Sequence, residues 1–181
     1  MQIIIIFSDA MPDPRPYSRT RILLHWLSAG VILWASLTGF IVVQLPQGNP
    51  VRQVIDILNP QITTLFIPFF LWRLVLYLRA APWRRSGATL QQRAATSAHM
   101  ALYASISAVL VSGLFMMPAP WHLLGLIPMP QLTHGVAALQ TAHDCHHAAC
   151  VVLAGLISAH LAAVALHQLG RQPILRRMRW A

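Results

Sequence analysis

The chain alternates between long apolar runs and short polar connections that are rich in arginine or proline. The apolar runs cover about residues 22–43, 62–79, 99–117 and 147–169. Each run approaches the roughly 20 residues that an α-helix needs to cross the hydrocarbon core of a bilayer. The pattern therefore predicts an all-α integral membrane protein built as a four-helix bundle.

The first connection contains strong helix-breaking residues. Pro46, Gly48 and Pro50 follow the first apolar run, and such a cluster ends a helix. The loop that continues from them is expected to carry Arg52 and Asp56. The third connection, between the third and fourth runs, is weakly apolar and is likewise expected to be a loop.

The first residues lack the pattern of a membrane segment. Residues 1–17 contain a short apolar stretch with no basic region before it, which fits neither a signal peptide nor a span. We expect 1–17 to be an N-terminal tail, with Met11 as an alternative start. Residues 18–178 are expected to form one transmembrane domain.

Composition and charge support this interpretation and indicate an orientation. Hydrophobic residues make up 56% of the chain and charged residues only 9%, against about 25% charged residues in ordinary soluble domains. The net charge of +9 comes from arginine alone. The arginines flank apolar runs, so a membrane protein is indicated and nucleic-acid binding is not. They concentrate in both termini and the second connection, so the positive-inside rule predicts two cytoplasmic termini.

Histidines within the apolar runs are the candidate functional residues, because ionisable groups are costly in a membrane and are functional by default. On the fourth helix His146 and His160 are about 21 Å apart on one face, and His167 continues that face. In the predicted orientation His25, His99, His160 and His167 gather at the cytoplasmic end. His146 lies at the outer end.

Several kinds of site need imidazoles in a bundle interior. A b-type haem takes two axial imidazoles from separated helices. Another metal, a proton relay or hydrogen-bonded structural histidines remain alternatives, although all four acidic residues lie outside the runs. Cys145 and Cys150 form neither a disulfide framework nor the CxxCH of covalent haem attachment.

Arg73 is a second unusual residue, because it lies inside the second apolar run. A buried guanidinium requires an anion, and haem propionates would meet that need. The alternative is that Arg73 extends toward the lipid headgroups at the membrane surface.

Four segments together resemble one family. They are Tyr17-Ser-Arg-Thr-Arg-Ile-Leu-Leu-His25-Trp26, Arg73-Leu-Val-Leu-Tyr-Leu-Arg79, Ala98-His-Met-Ala-Leu-Tyr103, and the spacing His146…His160…His167. They resemble the bacterial cytochrome b-561 family, which is related to the membrane cytochrome b subunits of nickel–iron hydrogenases and formate dehydrogenases. The resemblance covers about residues 17–178.

The resemblance implies two b haems stacked across the membrane. His25 and His160 match the axial ligands of the cytoplasmic haem, and Arg73 is a further cofactor-binding residue. His99 and His167 are expected beside the ligands or at a quinone site. His146 matches one ligand of the outer haem.

The second-helix ligand of the outer haem has no counterpart. Its position is occupied by Asn59, and asparagine is a poor ligand for haem iron. The outer haem is then absent, five-coordinate on His146, or completed by His134 or His143. We expect the outer site to be lost or altered, leaving one secure haem b.

The resemblance further implies that the protein is a multi-pass cytochrome of the bacterial inner membrane. Such a cytochrome moves single electrons between a quinone such as ubiquinone and a redox partner or small oxidant. Superoxide:quinone oxidoreduction is one such activity. The alternatives are an electron-transfer or anchor subunit of a dehydrogenase or hydrogenase, and a haem-poor structural member. Membrane lipid is an expected partner, and a homodimer is left open.

Overall fold

Four long helices dominate the protein. The computed structural model describes residues 18–81, 83 and 87–170, and within them it contains four helices and one small hairpin. The elements are α1 (Arg19–Val42), α2 (Pro50–Ala80), α3 (Leu90–Phe115), β1 (Trp121–Leu123), β2 (Ile127–Met129) and α4 (Val136–Leu169). All four helices are long and apolar enough to cross a membrane. The prediction of an all-α, four-span protein is confirmed, whereas the side of the termini stays a prediction.

Helix α2 begins earlier than its apolar run, so the expected loop position of Arg52 and Asp56 is wrong. Asn49 caps the helix, its side chain accepting from Val51 N at 2.8 Å, and Pro50 occupies the first turn. This combination favours helix initiation. Arg52 then reaches back from α2 and donates to the carbonyl of Leu45 at 2.7 Å.

Helix α4 also extends beyond its apolar run. Its 34 residues span about 51 Å at 1.5 Å per residue, more than the roughly 30 Å hydrocarbon core of a bilayer. The segment before Cys145, expected to belong to the third loop, is helical from Val136 onward. The helix is therefore longer than the segment that crosses the membrane.

The third connection contains an antiparallel β-hairpin where the sequence indicated only a loop. Leu124 and Gly125 have φ angles of 54° and 71° and form the turn between β1 and β2. A turn with two positive φ angles matches the twist of a hairpin, but leucine is an unusual residue for it. Gln61 holds this turn against α2, donating to His122 O at 2.9 Å and accepting from Leu124 N at 2.7 Å.

The helices pack as two antiparallel pairs. Helix α1 packs along α2 and α3 packs along α4, whereas α2 and α3 contact each other less extensively and α1 and α4 make no comparable contact. The buried core lies between the pairs and contains Phe66, Phe70, Ile106 and Leu153. Most other large apolar side chains are exposed, as expected for helices surrounded by lipid.

Candidate functional site

Each of the four helices contributes one side chain to a polar cluster at one end of the bundle. We call His25, Arg73, His99 and His160 the inner cluster. Arg73 Nη2 lies 2.9 Å from His25 Nδ1. The rings of His99 and His160 meet edge to face, with centroids 5.7 Å apart, and His25 is close enough to interact electrostatically with both. Three imidazoles that are far apart in sequence therefore share one site.

Arg73 points into the bundle. Besides its contact with His25, its guanidinium carbon lies 5.4 Å from the ring centroid of Tyr103. Of the described acidic residues, Asp56 on the same helix is 17 positions away, or about 25 Å by helical rise. The guanidinium is thus half buried among aromatic and imidazole rings rather than beside a carboxylate.

The Arg73 contact defines the tautomer of His25. A guanidinium has donors and no acceptor, so Nδ1 of His25 accepts and the proton of the neutral ring is on Nε2. Iron ligation through Nε2 requires the opposite tautomer, in which Nδ1 carries the proton and donates. His25 therefore cannot keep this contact and also ligate iron as a neutral imidazole.

His99 and Tyr103 form the wall of the inner cluster on α3. The His99 ring contacts the ring of His160 edge to face. Tyr103 lies one turn further on, and its ring is 4.5 Å from that of Tyr77 on α2. Sequence reasoning gave Tyr103 no role, although its four-residue spacing from His99 was the available signal.

His167 belongs to the last turn of α4. It follows His160 by seven residues, which is about 10 Å by helical rise. Its role beside the ligands or at a quinone site remains a prediction.

At the other end of α4, His146 has protein groups at both ring nitrogens. Its Nδ1 lies 3.0 Å from Ser112 Oγ. The hydroxyl of Ser112 donates to Ala108 O at 2.6 Å, so it accepts from His146 Nδ1–H. Nε2 lies 3.5 Å from the sulfur of Cys150. The nitrogen that would bind iron thus faces the thiol one turn along the same helix.

The region around His146 is also tightly packed on α3. A Cβ atom added at Gly113 would lie 3.3 Å from His146 Cε1, so glycine permits this close approach. Sequence reasoning did not connect Ser112, Gly113 or Cys150 with His146.

Asn59, on α2, contributes no hydrogen bond to this end. Its Oδ1 is buried and has no hydrogen-bond partner among the described residues. The predicted alternatives His134 and His143 lie before and within α4, and His143 is close enough to His146 to interact with it electrostatically. Asn59 supplies no imidazole from α2, so the loss or alteration of this site for a haem held by two imidazoles stays a prediction.

The inner cluster does fit such a haem. His25 and His160 lie on α1 and α4, which are not packed against each other, and a macrocycle needs ligands from separated helices. Arg73 adds a cation without a carboxylate partner among the described residues, which suits a group carrying propionates. The types of side chain in the inner cluster and their positions on separate helices are therefore both suited to a haem.

The family model of prokaryotic cytochrome b561 matches residues 16–181, which confirms the resemblance seen in the motifs. Curated proteins gave no match. This family consists of membrane b-type cytochromes that bind haem b and transfer electrons. The chain is a multi-pass membrane protein that belongs to the prokaryotic cytochrome b561 family.

Proposed function

We propose that this protein carries single electrons through one haem b, bound between His25 and His160, in the bacterial inner membrane. It exchanges those electrons with a membrane quinone and with a redox partner or a small oxidant such as superoxide. The observation that carries the proposal is the convergence of His25, His99, His160 and Arg73 from four helices. The family assignment supports the same chemistry.

His25 and His160 would hold the cofactor and restrict its reactions. Haem supplies a one-electron iron couple when it is bound. Ligation by the two imidazoles, from α1 and α4, would keep other ligands away from the iron. Burial between the helix pairs and contacts to the imidazoles then tune the potential.

Arg73 has a positioning role that follows from the His25 tautomer. If His25 held haem iron through Nε2, its ring proton would be on Nδ1, and the guanidinium could not accept it. Arg73 would then need a partner other than His25. The propionate carboxylates are the anions that it would meet, and a charge-assisted pair with one of them replaces the lost contact.

His99 and His167 are proposed to act next to the ligands. His99 supports the ring of His160 through its edge-to-face contact. His167, in the last turn of α4, is a candidate for the quinone headgroup, because an imidazole both donates and accepts hydrogen bonds.

A single haem would determine where electrons enter and leave the protein. Asn59 in place of an imidazole, and His146 engaged by Ser112 and Cys150, support the proposal that a second haem site for a relay across the bilayer is lost or altered. Quinone and partner would therefore exchange electrons at the end of the bundle that contains the inner cluster.

Haem stoichiometry tests the proposal. We expect pyridine haemochrome analysis of the purified protein to give one haem b per chain. Two haems per chain would show that the outer site is intact and contradict the single-haem proposal. A protein purified without haem, and unable to take it up when titrated with hemin, would contradict the cytochrome function itself.

A further inference from the structure

Two contacts define how α1 and α2 align. Arg21 Nη2 donates to Leu76 O at 3.4 Å, and one turn further into the bundle Arg73 contacts His25 at 2.9 Å. The helices are antiparallel, so this alignment places the start of α1 level with the end of α2. Arg19 and Arg79 consequently lie at the same depth.

A groove of about 400 Å³ runs between these two helices. Arg19 and Thr20 line one end of it, and Leu23, Leu27, Phe69 and Trp72 line its walls. Leu23, Phe69 and Trp72 are each about half exposed, so the groove opens on the outer surface of the bundle. From Arg19 to Leu27 it extends about 12 Å along α1.

The entrance of this groove is cationic. Arg19 and Arg79 are both exposed, and Phe69, Trp72 and Arg79 follow a spacing that keeps them on one side of α2. Asp56, the described acidic residue on α2, lies 23 positions before Arg79, about 35 Å by helical rise. Arg19 therefore lines one end of an apolar groove on the lipid-facing surface, and Arg79 lies at the same depth on the side of α2 that carries Phe69 and Trp72.

We propose that this groove is a binding site for one anionic phospholipid. An acyl chain would lie against Leu23, Leu27 and Phe69, and the phosphate would pair with Arg19 and Arg79 and accept from the Thr20 hydroxyl. Basic pockets between transmembrane helices select anionic headgroups in this way, and guanidinium–phosphate pairs are strong and directional. A neutral quinone would contact the apolar walls of the groove but would leave both arginines without an anion.

The site borders the inner cluster. Leu24 and Trp72, which line the groove, are the chain neighbours of His25 and Arg73. A bound lipid would therefore support the α1–α2 pair at the level where His25 is held. The proposal concerns lipid binding alone and stands independently of the haem count.

Fluorescence quenching of Trp72 tests the site in the full-length protein. The protein is placed in phosphatidylcholine bilayers that contain a minor fraction of one brominated lipid. That lipid is either phosphatidylglycerol or phosphatidylcholine, and in both cases its acyl chains are brominated. The contribution of Trp72 is obtained by subtracting the fluorescence of the Trp72→Phe variant from that of the unmodified protein. We expect stronger quenching by brominated phosphatidylglycerol, with an apparent preference of about fivefold for each arginine that contacts the phosphate.

The variants separate a specific site from general attraction to the membrane surface. Arg19→Gln with Arg79→Gln should abolish the preference, whereas Arg93→Gln should retain it, because Arg93 is an exposed arginine on α3 at the same end but outside the groove. Leu23→Phe keeps both charges and should reduce quenching by both brominated lipids, which supplies a test if the double variant fails to fold.

Three results would overturn the proposal. The first is equal quenching by the two brominated lipids in the unmodified protein. The second is a loss of preference in Arg93→Gln as large as in the double variant. The third is displacement of the brominated lipid by a neutral quinone in both the unmodified protein and the double variant.

Discussion

His160 and His167 are the two residues of α4 that compete for the position opposite His25. His160 is in ring contact with His99 and in electrostatic range of His25. His167 lies in the final turn of the helix. The contacts favour His160 as the axial ligand.

The two histidines can be separated by substitution. We expect His160→Ala to lose the low-spin b-type spectrum in reduced-minus-oxidised difference spectra, because the iron loses one of two strong-field ligands. His167→Ala should keep that spectrum, and it serves as the matched control on the same helix. A normal spectrum in His160→Ala together with its loss in His167→Ala would assign the ligand to His167.

Arg73 also gives a prediction at the scale of one residue. If its guanidinium pairs with a propionate, the protein should bind haem more tightly than haem dimethyl ester, in which both carboxylates are blocked. A hydrogen bond to a charged group contributes about 1.5–3 kcal/mol, so we expect a preference on the order of tenfold to a hundredfold. Soret titration of haem-free protein measures it.

Substitution of Arg73 should remove this preference. In Arg73→Gln the two cofactors should bind with nearly equal affinity, whereas Arg79→Gln, at the end of the same helix, should behave like the unmodified protein. A preference that persists in Arg73→Gln would show that Arg73 does not contact the propionates.

Ionisable residues inside apolar runs were readily found in the sequence. His25, Arg73 and His160 stand out because a charged or titratable group is rare in such a run. Ser112, Tyr103 and Cys150 do not stand out, since hydroxyls and thiols are common in membrane helices. Their contacts depend on how each helix is rotated about its axis, and helices that are apolar on all sides carry no periodic signal for that rotation.

The same contrast holds for whole elements. Proline and glycine marked the end of α1 at Val42, and the apolar runs gave the number of helices. The beginnings of α2, α3 and α4 were predicted too late, because hydropathy reports which residues prefer lipid, and a helix continues into water when its caps and backbone hydrogen bonds permit. The hairpin was missed because its turn begins with Leu124.

Gln61 links two elements and can be tested at that scale. Its side chain makes two hydrogen bonds to the backbone of the hairpin turn. Gln61→Leu should free the turn, with hydrogen exchange at the Leu124 amide faster by about fivefold, equivalent to about 1 kcal/mol, since both bonds are partly replaced by water. Gln53→Leu, on an exposed site of the same helix, should leave exchange in the hairpin unchanged. Equal rates in all three proteins would mean that β1 and β2 hold the turn without Gln61.

At the scale of the molecule, the sparse contact between α1 and α4 makes each antiparallel pair a nearly complete unit. Membrane helices can insert first and associate afterwards. The two pairs meet through the Phe66 and Ile106 core and through the inner cluster. The α2–α3 connection is therefore the place where the chain tolerates interruption best.

Co-expression of two fragments tests this modularity. We expect fragments 1–86 and 87–181 to co-purify and to show the low-spin b-type spectrum. Separation between residues 130 and 131 instead divides α3 from α4, which pack closely, and should recover less haem. Equal recovery from the two divisions would show that the pairs are not distinct units.

The division of the molecule into pairs gives the cofactor a role in biogenesis. One proposed axial ligand is translated early, on α1, and the other near the end of the chain, on α4. Cofactor capture must then wait until the last helix has inserted, and it would add to the Phe66 and Ile106 core that joins the two pairs. Haem supply would set the yield of mature protein, and chains that fail to acquire it would separate more easily and become substrates for membrane proteases.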